Sequence, residues 1–318
     1  MSVLYLTESD VRSLLTMDLA LEAVEAAFRK LSLDEAVNVP RSRCQTDHVM
    51  LHCLPAAAKT LGAIGLKAYT TGKFPAQFKV FLFHPKTGDL TAILEADHLG
   101  AVRTGAASGV ATKKLARKDA ATVGLFGTGK QGRTQLEAVC KVRTIARAVV
   151  YSRDPANREA FAKEMTKVLG LPVEAAARPE DAARGLDILC TATTSREPVL
   201  LGEWIAPGTH VNLAGSNFLS KCEADVEVFR RSNLICADSK DQARIEAGDF
   251  VAAMQDHVFG WADVQELAHI VAGRIPGRES PADITTFKSL GLGIEDVATA
   301  AKVVQLAVER QVGRTIDL

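Results

Sequence analysis

Between Ala120 and Arg133 the chain reads AATVGLFGTGKQGR, and no other stretch limits the possible folds as much. The run from Thr122 to Phe126 is short, apolar and β-rich. It stops at Gly127-Thr128-Gly129-Lys130-Gln131-Gly132, a G-x-G-x-x-G pattern, and a helical pattern through Gln135, Leu136, Ala138 and Val139 follows. A strand that turns on glycines into a helix is what a dinucleotide pyrophosphate requires. Gly127 permits the tight turn, Gly129 lets the backbone approach the phosphates, and Gly132 lets helix and strand pack closely. The N–H groups of the helix start then face negative charge. The alternative is a glycine-rich turn in an ordinary α/β sheet.

Downstream the alternation is regular. Strand 147–151 precedes helix 155–169, strand 171–176 precedes a short helix near 179–185, and strand 187–193 follows, with later strands near 210–215 and 233–238. Repeated β-α units predict a doubly wound parallel sheet of the Rossmann type. Upstream, Thr7 and Thr16 each precede a helical pattern. The second helix runs to about Leu33 with an apolar stripe read through Leu19, Ala23, Ala26, Ala27 and Lys30-Leu31. Alternating runs at 49–54, 63–69, 78–83 and 90–94 are split by prolines and glycines and predict an antiparallel sheet. Arg103 to Arg117 is helical and rich in small residues. Ile294 to Gln311 is amphipathic through Val297, Ala301, Val304, Leu306 and Val308, and is expected to return to the N-terminal domain. The expected class is α/β: a Rossmann domain over 118–295 and a mixed α+β domain built from 1–117 and 296–318.

Lys plus Arg and Asp plus Glu both number 38, so the formal net charge is zero. No basic block stands out, which argues against nucleic acid or an anionic membrane as partner and for a small molecule. Six cysteines lack any C-x-x-C pair. Cys190 and Cys236 lie in strand-like runs, so buried free thiols in a reducing compartment are expected, not a disulfide framework or a metal site. His48 and His84 show no metal-ligand spacing, and no serine stands in G-x-S-x-G. The opening MSVLYLTESD lacks the basic and apolar regions of a signal peptide, and no uncharged run reaches the ~18 residues of a membrane span. A cytoplasmic protein is expected.

Several stretches together resemble the ornithine cyclodeaminase/mu-crystallin family. They are Val39-Pro40-Arg41, Leu51-His52-Cys53-Leu54-Pro55, Gly65-Leu66-Lys67, the run from Ala101 to Ser108, the glycine turn through Gln131, Pro207 to Asn212, and Phe287-Lys288-Ser289-Leu290-Gly291. The family includes ornithine and lysine cyclodeaminases, an alanine dehydrogenase and imine reductases. The resemblance implies a homodimer with a substrate-binding and dimerisation domain beside the dinucleotide domain.

It also implies roles. Arg41, Lys67 and Arg103 match residues that clamp a substrate α-carboxylate, for which a guanidinium gives a planar two-point grip; the alternative is three solvated cations. Arg43 is the neighbour most easily confused with Arg41. On the cofactor side stand Thr104, Gly127, Thr128, Gly129, Gln131 and Gly132, then Thr191, Ala192 and Thr193, and finally Gly215 and Ser289. Dinucleotide choice turns on the end of the strand at 147–151. NAD-using members often carry Asp where Ser152 stands, and Ser152 with Arg153 suits a 2′-phosphate, so NADP(H) is favoured over NAD(H). Asp154 reaching the ribose, or Arg153 stacking on adenine, remain alternatives. Two departures are informative. The cyclodeaminases read G-G-D where this chain has Gly215-Ser216-Asn217, and amide Asn217, at that catalytic position, takes up no proton. His52 stands where those enzymes hold a second ammonium with Glu. Ornithine and lysine become poor candidates. What remains is hydride transfer to an α-imino acid, with Lys67 or a water as proton donor. A protonated His52 would suit a second substrate carboxylate; the plainer alternative is a satisfied histidine on a sheet. Cyclodeamination and nucleotide binding without turnover are the competing functions.

Overall fold

The computed structural model describes residues 2–317. The chain packs as two compact units, Met1–Arg103 with Gly291–Leu318, and Thr104–Leu290. Both changeovers fall earlier than the expected 117/118 and 295/296.

The first unit begins with β1 (Ser2–Leu6), α1 (Glu8–Leu14) and α2 (Met17–Ser32). Thr7 caps α1 in a reciprocal box with Asp10, and the Thr16 hydroxyl accepts from the Leu19 N–H. The buried face of α2 is Met17, Ala20, Ala23, Val24, Ala27 and Phe28, rotated from the expected stripe: Leu19, Ala26 and Leu31 are only half-buried. Then come β2 (Ala36–Asn38), β3 (Ser42–Gln45), β4 (Val49–Ala58), β5 (Ala63–Gly72), β6 (Gln77–Phe83) and β7 (Leu90–Glu95). Neighbours β4 to β7 pair antiparallel as the alternation predicts, while β1 joins β7 in parallel, which makes the sheet mixed. From there α3 (Asp97–Leu115) carries the chain into the second unit.

There β8 (Thr122–Phe126), α4 (Lys130–Val142), β9 (Arg147–Tyr151), α5 (Pro155–Leu169), β10 (Val173–Ala175), β11 (Ile188–Thr191) and β12 (His210–Leu213) follow. The rest is α6 (Val226–Arg231), β13 (Leu234–Ala237), α7 (Lys240–Glu246), α8 (Gly248–Gln255), β14 (Val264–Glu266), α9 (Leu267–Val271) and β15 (Thr285–Lys288). All eight strands are parallel, in the order β10-β9-β8-β11-β12-β15-β13-β14. Strand order reverses between β8 and β11, the position at which a doubly wound sheet binds its ligand. The sequence reading gives no strand at β14 or β15. β15 is Thr-Thr-Phe-Lys, and its polar side chains are buried against partners: Thr285 donates to the Leu115 carbonyl at 3.2 Å and Thr286 shares a 2.7 Å bond with Ser232.

The chain returns to the first unit as α10 (Gly293–Arg310) and β16 (Arg314–Asp317), the latter antiparallel to β1. Helix α10 packs on α2, β4 and β5. The expected stripe fails here: every residue from Gly291 to Ala300 is buried, and Val308 is 66% exposed. A helix packed from several sides in its first turns has no single apolar face to read. Among the cysteines Cys190 and Cys236 are buried, but Cys44 is exposed; all six are free thiols.

Candidate active site

In the first unit Arg41, His52, Lys67 and Arg103 are all buried, and strand register explains how they meet. His52 on β4 lies opposite Tyr69 on β5, which lies opposite Phe78 on β6. The three rings stack, His52 to Tyr69 at 4.2 Å and Tyr69 to Phe78 at 4.8 Å. Lys67, two residues before Tyr69 and so on the same sheet face, holds Nζ 5.5 Å from the Tyr69 ring centre.

The first turn of α10 supplies the counter-charge. Lys67 Nζ donates to both oxygens of Asp296, at 2.9 and 3.1 Å. Arg103 donates from Nε to Asp296 at 2.8 Å and from Nη1 to Glu295 at 2.7 Å. Arg41 donates from Nη2 to the Gly291 carbonyl at 3.0 Å. Burial opposes the charge on Arg103, but Asp296 and Glu295 outweigh it and hold the guanidinium above its usual pKa. Lys67 goes the other way. Burial, then Arg103, pull it down to about 8, with Asp296 resisting. Three buried cations and two buried carboxylates are thus gathered in this unit.

The cationic reading of His52 does not survive the geometry. Its Nδ1 accepts from Arg43 Nε at 3.2 Å, so the ring proton sits on Nε2, 3.0 Å from the Thr71 hydroxyl. Burial, then Arg43, Arg41 and Lys67, lower its pKa to about 4. His52 is a neutral, satisfied histidine, and Arg43 is its partner.

In the second unit the turn after β8, the end of β9 and the segment after β11 line one cavity of about 260 Å³. Gly127, Gly129, Ser152, Arg153, Ala192 and Thr193 are among its walls. Gly127 has φ 103°, and a Cβ there would run into the Ala192 carbonyl. Gly129 caps α4 with no side-chain bond to the helix start, and open space lies where its Cβ would point. Room beside uncapped N–H groups fits a diphosphate. Thr128 donates to the Ser152 hydroxyl at 3.0 Å, and Ser152 to the Asp154 carbonyl at 3.3 Å. The Asp154 carboxylate is engaged as the cap of α5, accepting from Asn157 N and Nδ2 at 3.2 and 3.1 Å.

The other expected residues are scattered over this unit. Gln131 and Gly132 start α4, outside the cavity lining. Thr104 is buried, its carbonyl accepting from Gln135 Nε2 at 3.4 Å. Gly215 and Asn217 lie after β12. Ser289 lies after β15, its buried hydroxyl without a hydrogen-bond partner among the described residues. Sequence reasoning missed what ties several of them together. Buried Glu223 accepts from Thr191 Oγ1 at 2.7 Å, Thr193 N at 2.6 Å and Gly215 N at 2.7 Å. Asp249 accepts from Glu223 N at 2.6 Å and lies 2.8 Å from Lys288 Nζ, which also donates to the Ser216 carbonyl. Burial, then Asp249, raise the Glu223 pKa against the pull of Lys288. Cys222-Glu223-Ala224 carries no motif. Glu295 and Asp296 did leave a trace, as acids in the first turn of a helix just after F-K-S-L-G.

Residues 1–311 match the model of the ornithine cyclodeaminase/mu-crystallin family. The chain belongs to this family. Solved structures of members superpose over nearly its full length. Delta(1)-pyrroline-2-carboxylate reductase of Thermococcus litoralis, in complex with NADH and L-proline, is 39% identical with a TM-score of 0.94, covering 99% of this chain and 100% of its own. An archaeal alanine dehydrogenase dimer with bound NAD is 35% identical, TM-score 0.94, with both chains fully covered. The iminosuccinate reductase of Paracoccus denitrificans with NAD+ is 29% identical, TM-score 0.94, again covering both chains fully. Family membership also fixes the fold class, a parallel Rossmann sheet with a mixed α+β companion. Among the described residues no helix is long and apolar enough to cross a membrane, and no cluster of metal-ligating side chains is present.

Proposed function

We propose that this family member is an NAD(P)H-dependent reductase that converts a small α-imino acid, either a ketimine or the imine of a keto acid and an amine, to an L-amino acid. The observation that carries the proposal is the buried cationic set Arg41, Lys67 and Arg103, of which Lys67 and Arg103 are held by Glu295 and Asp296 beside the Tyr69 ring. It suits one α-carboxylate. Neutral His52 and amide Asn217 offer no anion to a second ammonium, which disfavours a diamino acid.

In this reading the first unit binds the substrate and forms the dimer, and the second binds the dinucleotide. Arg103 and Arg41 orient the carboxylate, and the ring row of Tyr69 and Phe78 gives the rest of the substrate an apolar wall. The dinucleotide supplies a hydride to the imine carbon. Lys67, at about 8, is charged at neutral pH yet close enough to it to release a proton to the imine nitrogen. Thr191, Ala192, Thr193, Gly215 and Ser289 form the nicotinamide side. Ser152 and Arg153, with Asp154 engaged elsewhere, favour NADPH, although the relatives named above were solved with NADH, NAD or NAD+. The archaeal dimer supports a homodimer, and six free thiols support the cytoplasm.

The test is nicotinamide absorbance with a cyclic imino acid, and with pyruvate, glyoxylate or oxaloacetate plus ammonia or methylamine. Oxidation of NADPH or NADH by at least one acceptor is expected. Ammonia release from ornithine without net cofactor change would establish the cyclodeaminase instead, and cofactor binding with no turnover would establish a binding protein.

A further inference from the structure

Burial and two nearby guanidiniums work against the charge on Lys67, while ring faces and carboxylates favour it. Arg103 faces it from α3 and Arg41 from the segment before β3. His52, Tyr69 and Phe78 flank it from β4, β5 and β6, and Glu295 and Asp296 approach from α10. Of these, Asp296 bonds Nζ through both oxygens while its Oδ1 also takes Arg103 Nε. Asp296 has no exposed surface and stands in a helical first turn that is buried throughout, so it has no second rotamer in solvent to escape to.

We infer that Asp296 is the positioning residue of the reduction, holding Lys67 Nζ beside Arg103 and keeping the lysine proton in place until the imine nitrogen takes it. This rests on the reductase reading of the same site. In the balanced step the imine carbon gains a hydride from the reduced nicotinamide, which is thereby oxidised. The C=N double bond becomes single, and a new N–H bond forms as one Nζ–H bond of Lys67 breaks. The neutral lysine amine stays bonded to Asp296 until water returns a proton. Asn217 cannot perform this service. The carboxylate in contact with the lysine lies instead on α10, far along the chain from the G-S-N segment.

The experiment titrates Lys67 directly, by NMR of protein labelled with carbon-13 at the lysine Cε, its resonance assigned by loss in Lys67→Arg. The expected wild-type midpoint is about 8. In Asp296→Asn it should fall by about one pH unit or more, and the alkaline limb of kcat/KM should fall with it while cofactor affinity is unchanged. A wild-type midpoint at the free-lysine value, or an unmoved midpoint in folded Asp296→Asn, overturns the inference. Should that variant not fold, wild-type protein labelled at the aspartate carboxyl carbon decides. The Asp296 signal must shift with the Lys67 midpoint, and its indifference overturns the inference equally. Failure of the reductase reading is a separate result: no cofactor oxidation with any acceptor, whatever the titration shows.

Discussion

The two buried ion clusters of this protein leave opposite charges over. In the first unit Arg41, Lys67 and Arg103 outnumber Glu295 and Asp296. In the second Glu223 and Asp249 outnumber Lys288, and the surplus negative charge is absorbed by the Thr193 and Gly215 backbone N–H groups and the Thr191 hydroxyl. A buried surplus met by fixed donors of the same unit is completed structure. A buried surplus of cation beside an aromatic row is where the proposed function puts a substrate carboxylate. Removing one cation from each cluster breaks or sharpens this contrast. Arg103→Ala strips Glu295 and Asp296 of a guanidinium and should cost about 3–5 kcal/mol of stability, as broken buried pairs do. Turnover should vanish while NADPH affinity, read by fluorescence titration, stays near wild type. Lys288→Met should cost stability on the same scale, but with a different pH signature. Glu223 already holds its proton more tightly than usual, and without Lys288 it holds it more tightly still. The folded state then binds more protons than the unfolded one above the ordinary carboxylate range, so stability falls as pH rises there. Urea midpoints across a pH series read the sign. A variant whose stability rose with pH would refute the assignment.

The contrast also marks what could be read in the sequence. The second unit was legible where its chemistry is local. The β8 turn and α4 announce themselves through Gly127, Gly129 and Gly132, and the β-α rhythm follows from periodicity. It became illegible at β15, where Thr285, Thr286 and Lys288 look like a polar loop until distant partners such as Asp249 and Ser232 satisfy them. The first unit was legible in its strands and in its four converging cationic and imidazole positions. Glu295 and Asp296 were not, because acids in a helix's first turn look the same whether they face water or two buried cations. The charge of His52 was hidden for a similar reason. It depends on burial and then on Arg43, which register places opposite it across the β3–β4 pair.

That register gives a prediction of intermediate size. His52 has its pKa lowered to about 4 from 6.5, so between these values the unfolded chain binds a proton that the folded protein refuses. Its contribution is full above pH 6.5 and is lost as pH falls to 4, in all about 3 kcal/mol. His52→Gln keeps an acceptor for Arg43 and a donor for Thr71, so it should remove that slope from urea midpoints measured through the window. A slope that persisted would mean the imidazole is already charged, and with it the single-carboxylate reading of the clamp would fail.

The smallest expected effect concerns the dinucleotide, at the end of β9. Thr128, Ser152 and the Asp154 carbonyl form a chain of hydrogen bonds, and the Asp154 carboxylate is spent on α5. The Asp154 carboxylate is thus directed at the start of α5, and Arg153 lines the cavity at this strand end. If the guanidinium grips a 2′-phosphate, Arg153→Ser should lower the preference for NADPH over NADH in kcat/KM by about tenfold, a little over 1 kcal/mol. Ser152→Asp should go further and favour NADH, because a carboxylate there accepts from the ribose hydroxyl and repels the phosphate. Stacking of Arg153 on adenine predicts something different: equal losses for both cofactors in Arg153→Ser, since both carry the same base. The ratio of the two losses, not their size, therefore decides whether the charge or the plane of Arg153 matters.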